Sequence, residues 1–330
     1  MKKEARRSGE FDRIARFFAP LAKSFPGAFG LLDDAAVIAP APGTELVVTT
    51  DTIVAGVHYV GDEPPGLIAA KLLRVNLSDL AAMGATARAY TLNIALPRNV
   101  DDDWLEDFAA GLADDQNRFG IELIGGDSVG TPGPTVLTLT AFGEVPVGGA
   151  LRRAGAIPGD RVFVSGTIGD GTLGLRAVRG ELEGVPDATA AALTARYRKP
   201  EPRLALGCRL RSIAHAVADV SDGLVADLGH IADASGAAAE IDVDAVPLSV
   251  AARTTVDGEP EALKALLTGG DDYELVFCAP PSKAQALEAV AREIGLALTA
   301  VGRIEAGRGV RVLDPSGKPI AFDRAGFTHG

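Results

Sequence analysis

The chain has 330 residues, a net charge of −12, and 47% hydrophobic against 23% charged residues. That length can bury a large core and favours two domains over one. The acidic balance excludes a general binder of nucleic acid or of anionic membranes, since no basic stripe offsets it; small anionic ligands remain admissible where metal ions bridge the negative charges.

Apolar residues at helical spacing predict an opening helix from Phe11 to Phe18, followed by a Pro- and Gly-rich loop from Lys23 to Gly30. A strand from Ala35 to Ile38, the Ala41-Pro42-Gly43 turn and a strand from Glu45 to Thr50 read as a hairpin. Pro65 to Met83 reads as a long helix closed by Gly84, and Ala89 to Leu96 as a strand. Asp101 to Phe119 is predicted as a helix whose acidic first turn suits its dipole. Strands at Glu122–Ile124 and Thr135–Val145 complete a first α/β unit.

The composition shifts at Pro146-Val147-Gly148-Gly149-Ala150, which places a domain boundary between residues 148 and 149. Beyond it come a strand (Arg161–Ser165), a Gly-rich turn, and helices at Thr172–Arg179, Ala188–Tyr197 and Arg203–Ile213. A strand-turn-helix is built around Asp219 to Ser235. Strands near Ala239–Val243 and Tyr273–Cys278, a helix at Ser282–Ile294 and a terminal pair of strands finish the chain. Both halves mix strands and helices without strict alternation, so the expected fold class is α/β of the α+β type, in two domains. The two cysteines, Cys208 and Cys278, sit in apolar settings and read as small buried hydrophobes. No apolar core follows the basic start Met1-Lys2-Lys3-Glu4-Ala5-Arg6-Arg7. No apolar run approaches the ~20 residues that span a bilayer. The expected location is cytoplasmic.

Aspartates recur at the ends of apolar, strand-like runs. Glu45 to Thr50 stops at Asp51, Ile121 to Gly126 stops at Asp127, Ala216-Val217-Ala218 leads into Asp219, and Gly269-Gly270-Asp271-Asp272 opens Tyr273 to Phe277. Asp33-Asp34 and the Asn76-Leu77-Ser78-Asp79 segment add two more acidic points. Strand ends are where α/β proteins build ligand sites. Converging carboxylates repel, by roughly 4 kcal/mol at ~4 Å and an effective dielectric near 20, and hard cations such as Mg²⁺ make such clusters tolerable. The pattern points to a metal-assisted phosphate site. Taken singly, each acid has a plainer reading: a solvated strand start for Asp33-Asp34, a hydroxyl-capped turn for Thr49-Thr50-Asp51, a helix N-cap for Ser221 or Asp222. Asp79 differs, because its helix face is otherwise apolar and an unpaired carboxylate there is costly.

Histidine is scarce. His58 follows Asp51 closely enough to face the same site, while His215 reads as packed on its helix and His230 as a helix-surface residue. No P-loop, protein-kinase motif set, Ser-His-Asp order or zinc-like Cys/His spacing occurs. Gly166-Thr167-Ile168-Gly169-Asp170-Gly171 is either a phosphate-cradling turn or a structural one, and Arg152-Arg153 either clamps phosphates or is a solvated basic turn.

In order, these segments resemble the thiamine-monophosphate kinase family, within the superfamily of aminoimidazole ribonucleotide synthetase-like ATP enzymes. The resemblance rests on Asp33-Asp34-Ala35-Ala36, Thr49-Thr50-Asp51-Thr52, Gly56-Val57-His58-Tyr59, Asn76-Leu77-Ser78-Asp79-Leu80-Ala81-Ala82-Met83-Gly84-Ala85 and Gly125-Gly126-Asp127 in the first half. It continues with Arg153-Ala154-Gly155-Ala156, Val164-Ser165-Gly166-Thr167-Ile168-Gly169-Asp170, Asp219-Val220-Ser221-Asp222-Gly223-Leu224 and Gly269-Gly270-Asp271-Asp272-Tyr273-Glu274-Leu275.

The resemblance implies transfer of the ATP γ-phosphoryl group to thiamine monophosphate, and a homodimer whose N-terminal sheets pair into a shared barrel. It implies an ATP-, Mg²⁺- and dimer-forming domain over residues 1–148 and a C-terminal α/β domain over 149–330 that completes the active site. Asp34, Thr49, Thr50, Asp51, Asp79, Asp127, Asp219 and Asp222 match its Mg²⁺ positions; Arg153, Ser221 and Gly126 match ATP contacts; His58, Asp271 and Phe327 match the thiamine phosphate site. Three positions depart from the family pattern. Leu32 stands where Gly is usual, Asp271 where Glu is usual, and Phe327 where Trp or Tyr is common, which keeps stacking and loses a polar handle. The alternatives are another enzyme of the superfamily, selenophosphate synthetase-like or purine cyclo-ligase-like, and a catalytically silent metal- or nucleotide-binding regulator. No Cys precedes Cys208, against the selenide chemistry.

Overall fold

A computed structural model describes residues 8–327 except 183 and 260. The basic N-terminal run and His329 lie outside the described residues. The chain divides into two compact units, Met1–Leu80 with Thr86–Gly148, and Ala81–Ala85 with Gly149–Gly330.

The first unit opens with a helix α1 (Glu10–Arg13) that continues as a π turn (Ile14–Phe18) and a 3-10 turn (Ala19–Ala22), burying Phe17, Phe18 and Leu21. Then follow β1 (Thr44–Val54), α2 (Pro65–Ala82), β2 (Thr86–Pro97), α3 (Asp102–Phe119), β3 (Glu122–Thr131) and β4 (Val136–Pro146). The sheet order is β1-β4-β2-β3, with β2 and β3 parallel through α3 and the other pairs antiparallel. The Asp101 side chain caps α3 by accepting from the Trp104 N–H, and Gly120 ends it in the left-handed conformation. Leu72, Leu73, Leu77 and Leu80 are fully buried, so α2 is a core helix rather than a surface one. It approaches α3 closely: a Cβ on Gly111 would stand 2.4 Å from the Gly66 carbonyl oxygen.

The expected hairpin does not form. Residues 35–38 take no strand, and β1 instead pairs with β4 in the register Thr44↔Pro146 through Val54↔Val136. Pro40 and Pro42 leave the connection into β1 without two N–H donors that a tight hairpin turn could use, and β1 keeps an edge position. Asp51 and Asp127 likewise do not end their strands; β1 and β3 run three and four residues past them.

The second unit contains β5 (Arg161–Ser165), α4 (Asp170–Val178), α5 (Asp187–Arg198), α6 (Leu204–Leu210), β6 (Ala216–Asp219), α7 (Leu224–Ser235), β7 (Ala238–Asp242), α8 (Val250–Gly258), α9 (Ala262–Thr268), β8 (Leu275–Ala279), α10 (Ala284–Ile294), β9 (Leu298–Glu305) and β10 (Gly309–Leu313). Its six strands are ordered β10-β7-β9-β5-β8-β6, with only β10 and β7 parallel. Strand alternation splits the core. Val162, Val164, Val276 and Cys278 pack with Leu224, Leu228 and Ile231 of α7, whereas Phe163, Leu275 and Phe277 pack with Leu206 and Leu210 of α6 and Leu287 of α10. Burial pushes the Cys278 thiol well up, and among the described residues neither cysteine is in a disulfide. His215 is not on a helix: α6 stops at Leu210, and the imidazole Nδ1 lies 2.9 Å from the buried Asp160 carboxylate. Among the described residues no helix is long and apolar enough to cross a membrane.

Candidate active site

In the first unit, alternation along β1 sends Val47, Thr49, Asp51 and Ile53 to the protected face and Val48, Thr50 and Thr52 to the open one. On the protected face the Thr49 hydroxyl donates to Asp79 Oδ2, and the Asp51 carboxyl is hydrogen-bonded to that of Asp79. Burial first, then the Asp79 charge and that hydrogen bond, push Asp51 up to about 7. Two carboxyl groups and a hydroxyl in contact form a hard oxygen donor set of the kind Mg²⁺ takes, and a cation there offsets the repulsion. Thr50 is not part of this group by its side chain, which donates to the Leu139 carbonyl (3.1 Å) and accepts from Thr140 (3.1 Å) on the other face. His58 sits in the turn after β1, its Nδ1 accepting from the Val54 N–H at 3.1 Å.

A second grouping in the first unit surrounds a cavity of about 510 Å³. Asp33, Asp34, Gly126 and Asp127 line it beside Leu123 and Ile124. Gly126 is required by space: a Cβ there would lie 1.8 Å from the Leu92 carbonyl oxygen on β2. Asp127 is exposed and accepts from the Ser128 N–H at 2.8 Å, and Leu32 stands 90% exposed at the cavity wall.

In the second unit β6 delivers the buried Asp219 at its last residue, and the chain turns through Val220 to Gly223 into α7. One carboxylate oxygen organises that turn. Asp227 Oδ2 accepts from the N–H groups of Ser221 (3.0 Å), Asp222 (3.0 Å) and Gly223 (3.1 Å). Main-chain bonds bring two further candidates to the turn: Asp271 N–H donates to the Ser221 carbonyl (2.9 Å), and Phe327 N–H to the Asp222 carbonyl (3.0 Å). Asp271 and Tyr273 both adopt left-handed backbone, an uncommon state for residues with side chains. Arg153 is exposed and its charge acts on Asp227.

The Gly166–Gly171 turn is structural rather than an open phosphate cradle. The N–H groups of Gly169 and Gly171 donate to the fully buried Asp272 carboxylate at 2.7 and 2.9 Å. Burial pushes Asp272 up to about 7 despite these bonds. Sequence reading passed over Asp227, Asp272 and the Arg196–Glu274–Arg203 group. For Asp227 a signal existed: an acid four residues beyond a Ser-Asp-Gly turn, at the start of a helix. For the others, the partners lie some 70 to 110 residues apart and no local pattern marks them.

Two family models cover the units in turn. The N-terminal domain of AIR synthase related proteins matches residues 32–145, and the C-terminal domain of the same proteins matches residues 158–314. Fold and site thus define an AIR synthase-related protein. Thiamine-monophosphate kinase of Caulobacter vibrioides is 46% identical over 324 residues, covering 97% of this chain and 91% of that protein. The crystal structure of thiamine-monophosphate kinase from Stenotrophomonas maltophilia K279a has a TM-score of 0.80 at 44% identity, over 88% of this chain and 91% of that one. AaThiL complexed with AMPPCP and TMP has a TM-score of 0.78 at 30% identity, over 92% and 97% of the respective chains. The chain belongs to the thiamine-monophosphate kinase family.

Proposed function

We propose that this chain transfers the γ-phosphoryl group of ATP directly to the phosphate of thiamine monophosphate, giving thiamine diphosphate and ADP. The observation that carries this reading is the 46% identity to a thiamine-monophosphate kinase across 97% of the chain. We assign Asp34, Thr49, Thr50, Asp51, Asp79 and Asp127 of the domain over residues 1–148, with Asp219 and Asp222 of the domain over 149–330, to holding Mg²⁺. Arg153, Ser221 and Gly126 are assigned to ATP, and His58, Asp271 and Phe327 to the acceptor. Among the metal positions, the Thr49–Asp51–Asp79 group has the strongest support, from its contact geometry.

A phosphate monoester has its second pKa near ~6 and is already largely anionic at neutral pH. The acceptor therefore needs no side-chain base, and no catalytic acid or base is assigned. Bound Mg²⁺ would neutralise the charge on both phosphate groups. The chain's own residues position. Asp227 fixes three consecutive main-chain N–H groups, and so sets where Ser221 and Asp222 stand. Asp271 and Phe327 are tied to the same turn, where the Phe327 ring would stack on a ring of thiamine and Asp271 would face its positive charge. We further assign the protein to the cytoplasm as a homodimer. The apolar residues Val48 and Val129, exposed on the first sheet, suit a barrel shared between two copies.

The test is a coupled assay of ADP release with thiamine monophosphate as acceptor, with and without Mg²⁺. Mg²⁺-dependent formation of thiamine diphosphate is expected. Turnover with aminoimidazole precursors and none with thiamine monophosphate would move the chain to the purine cyclo-ligases, and no ADP with any acceptor would make it a binding protein.

A further inference from the structure

The first turns of α7 bring three side chains to one point. Asp222 precedes the helix, Asp227 lies in its first turn, and His230 follows three residues on, along the same helix face. One ligand atom from each lies within 4.8 Å of the others. Asp227 is only 1% exposed. Its Oδ2 is fully used by the three N–H groups of the turn, but Oδ1, also buried, has no hydrogen-bond partner among the described residues. A buried acceptor left unpaired is costly, and more so when it carries charge. A cation held among these three side chains would give the unpartnered carboxylate oxygen a partner. An exposed imidazole three residues along supplies a further donor.

We propose that Asp222, Asp227 and His230 form a divalent-cation site of two carboxylates and one imidazole, selective for Mn²⁺ or Zn²⁺ over Mg²⁺. Carboxylate oxygens accept all three ions, whereas an imidazole nitrogen suits the transition metals and zinc, and Mg²⁺ prefers all-oxygen shells. His230 is exposed, so the ion keeps positions open to water or to a ligand oxygen. The site shares Asp222 with the metal positions assigned above, but its three ligands all belong to one helix and the turn before it. It stands or falls separately from the phosphoryl transfer.

The experiment uses the full chain, stripped of metal by chelation and free of nucleotide and thiamine phosphate. Mn²⁺ is added while the imidazole protons are followed by NMR, the His230 signal being identified by its loss in His230→Ala. The His230 signal is expected to broaden at the lowest Mn²⁺ additions, ahead of His215. Calorimetric titration of His230→Ala should show one Mn²⁺ site weakened at least tenfold, with an unchanged near-UV circular dichroism spectrum. Zn²⁺ should displace that Mn²⁺ where equimolar Mg²⁺ does not. Asp227→Asn is expected to give the same loss; because Asp227 also holds the turn, the exposed His230 position decides should that variant fold poorly. A His230 signal that broadens only together with His215, or a His230→Ala titration superimposable on the parent, overturns the site. Absence of ADP release bears only on the kinase reading, since neither titration contains ATP.

Discussion

Asp51 on β1 and Asp79 on α2 share a hydrogen bond between their carboxyl groups, which requires one of the pair to keep its proton. Asp51 is held at about 7 in the folded chain against an ordinary value of 3.8. The folded state therefore binds more protons than the unfolded one between those values. Stability contributed here is present at low pH and lost as pH rises from about 4 to about 7. In chelator, the melting temperature should fall from pH 5 to pH 8, and Asp51→Asn should flatten that fall. A tenfold change in proton affinity corresponds to about 1.4 kcal/mol, so a gain on the order of 2 kcal/mol at pH 8 is expected after partial relaxation. Turnover of the same variant should drop at least a hundredfold. An identical pH slope in parent and variant would remove the shared proton from the account.

The same pair predicts how Mg²⁺ acts on stability. An ion that binds only the folded state stabilises it in proportion to the logarithm of its concentration over its Kd, and protons compete for the same oxygens. Saturating Mg²⁺ should raise the melting temperature several degrees more at pH 8 than at pH 5. Asp79→Asn, which removes one of the carboxylates, should lose most of that increment. Scanning calorimetry at the two pH values is the measurement; an equal increment in Asp79→Asn would place the ion elsewhere.

Arg74 and Asp115 form a different kind of buried pair. Two parallel bonds join them, Nε to Oδ2 at 2.7 Å and Nη2 to Oδ1 at 2.8 Å, with side chains 1% and 2% exposed. The guanidinium also lies 5.1 Å from the Phe119 ring centre. Removing one partner leaves a buried charge, so Arg74→Met should cost about 3–5 kcal/mol. Arg74→Met with Asp115→Leu should recover most of that loss, because no charge remains uncompensated. Urea unfolding of both variants checks this, and equal midpoints would show that the loss comes from packing alone.

Gly66 and Gly111 set the spacing of α2 and α3. Gly111→Ala pushes a methyl to 2.4 Å from the Gly66 carbonyl oxygen, with backbone on both sides, whereas Gly66→Ala meets the Asp107 carbonyl at 3.2 Å. Overpacking costs about 1–3 kcal/mol, and Gly111→Ala should stand at the upper end with Gly66→Ala well below it. Unfolding midpoints in the reverse order would mean that the helices shift freely.

What the residue pattern revealed and what it hid follow physical lines. Local signals located β5, α3 and α5, because strand and helix periodicity act within a few residues. The same signals placed Asp51 and Asp127 at strand ends, since an acid followed by Thr52 or Ser128 interrupts the apolar run; pairing with β4 and β2 extends the strands regardless. Thr49 and Thr50 read alike in sequence, and only the pleat of β1 separates their side chains. Asp227 carries only its spacing from the Ser-Asp-Gly turn as a signal, because its partners are main-chain N–H groups, which have no residue signature.

Glu274 joins partners that lie far apart in sequence, so its role is set by the fold. Its buried carboxylate accepts from Ser165 Oγ (2.6 Å), Arg196 Nη2 (2.8 Å) and Arg203 Nε (2.6 Å), and Arg196 also donates to the Asp272 carbonyl. These bonds pin the end of the segment that holds Asp271 in left-handed backbone. A Cβ on Gly166 would strike Glu274 Oε1 at 2.3 Å, so the carboxylate also fixes the Gly166 turn. Glu274→Gln keeps the shape but leaves two guanidinium groups facing a neutral amide, and should cost about 2–4 kcal/mol. With Asp271 less well held, KM for thiamine monophosphate should rise about tenfold, equivalent to about 1.4 kcal/mol of binding, while KM for ATP changes little. Steady-state kinetics with each substrate varied in turn separates the two constants. A stability loss with both KM values unchanged would confine Glu274 to the core.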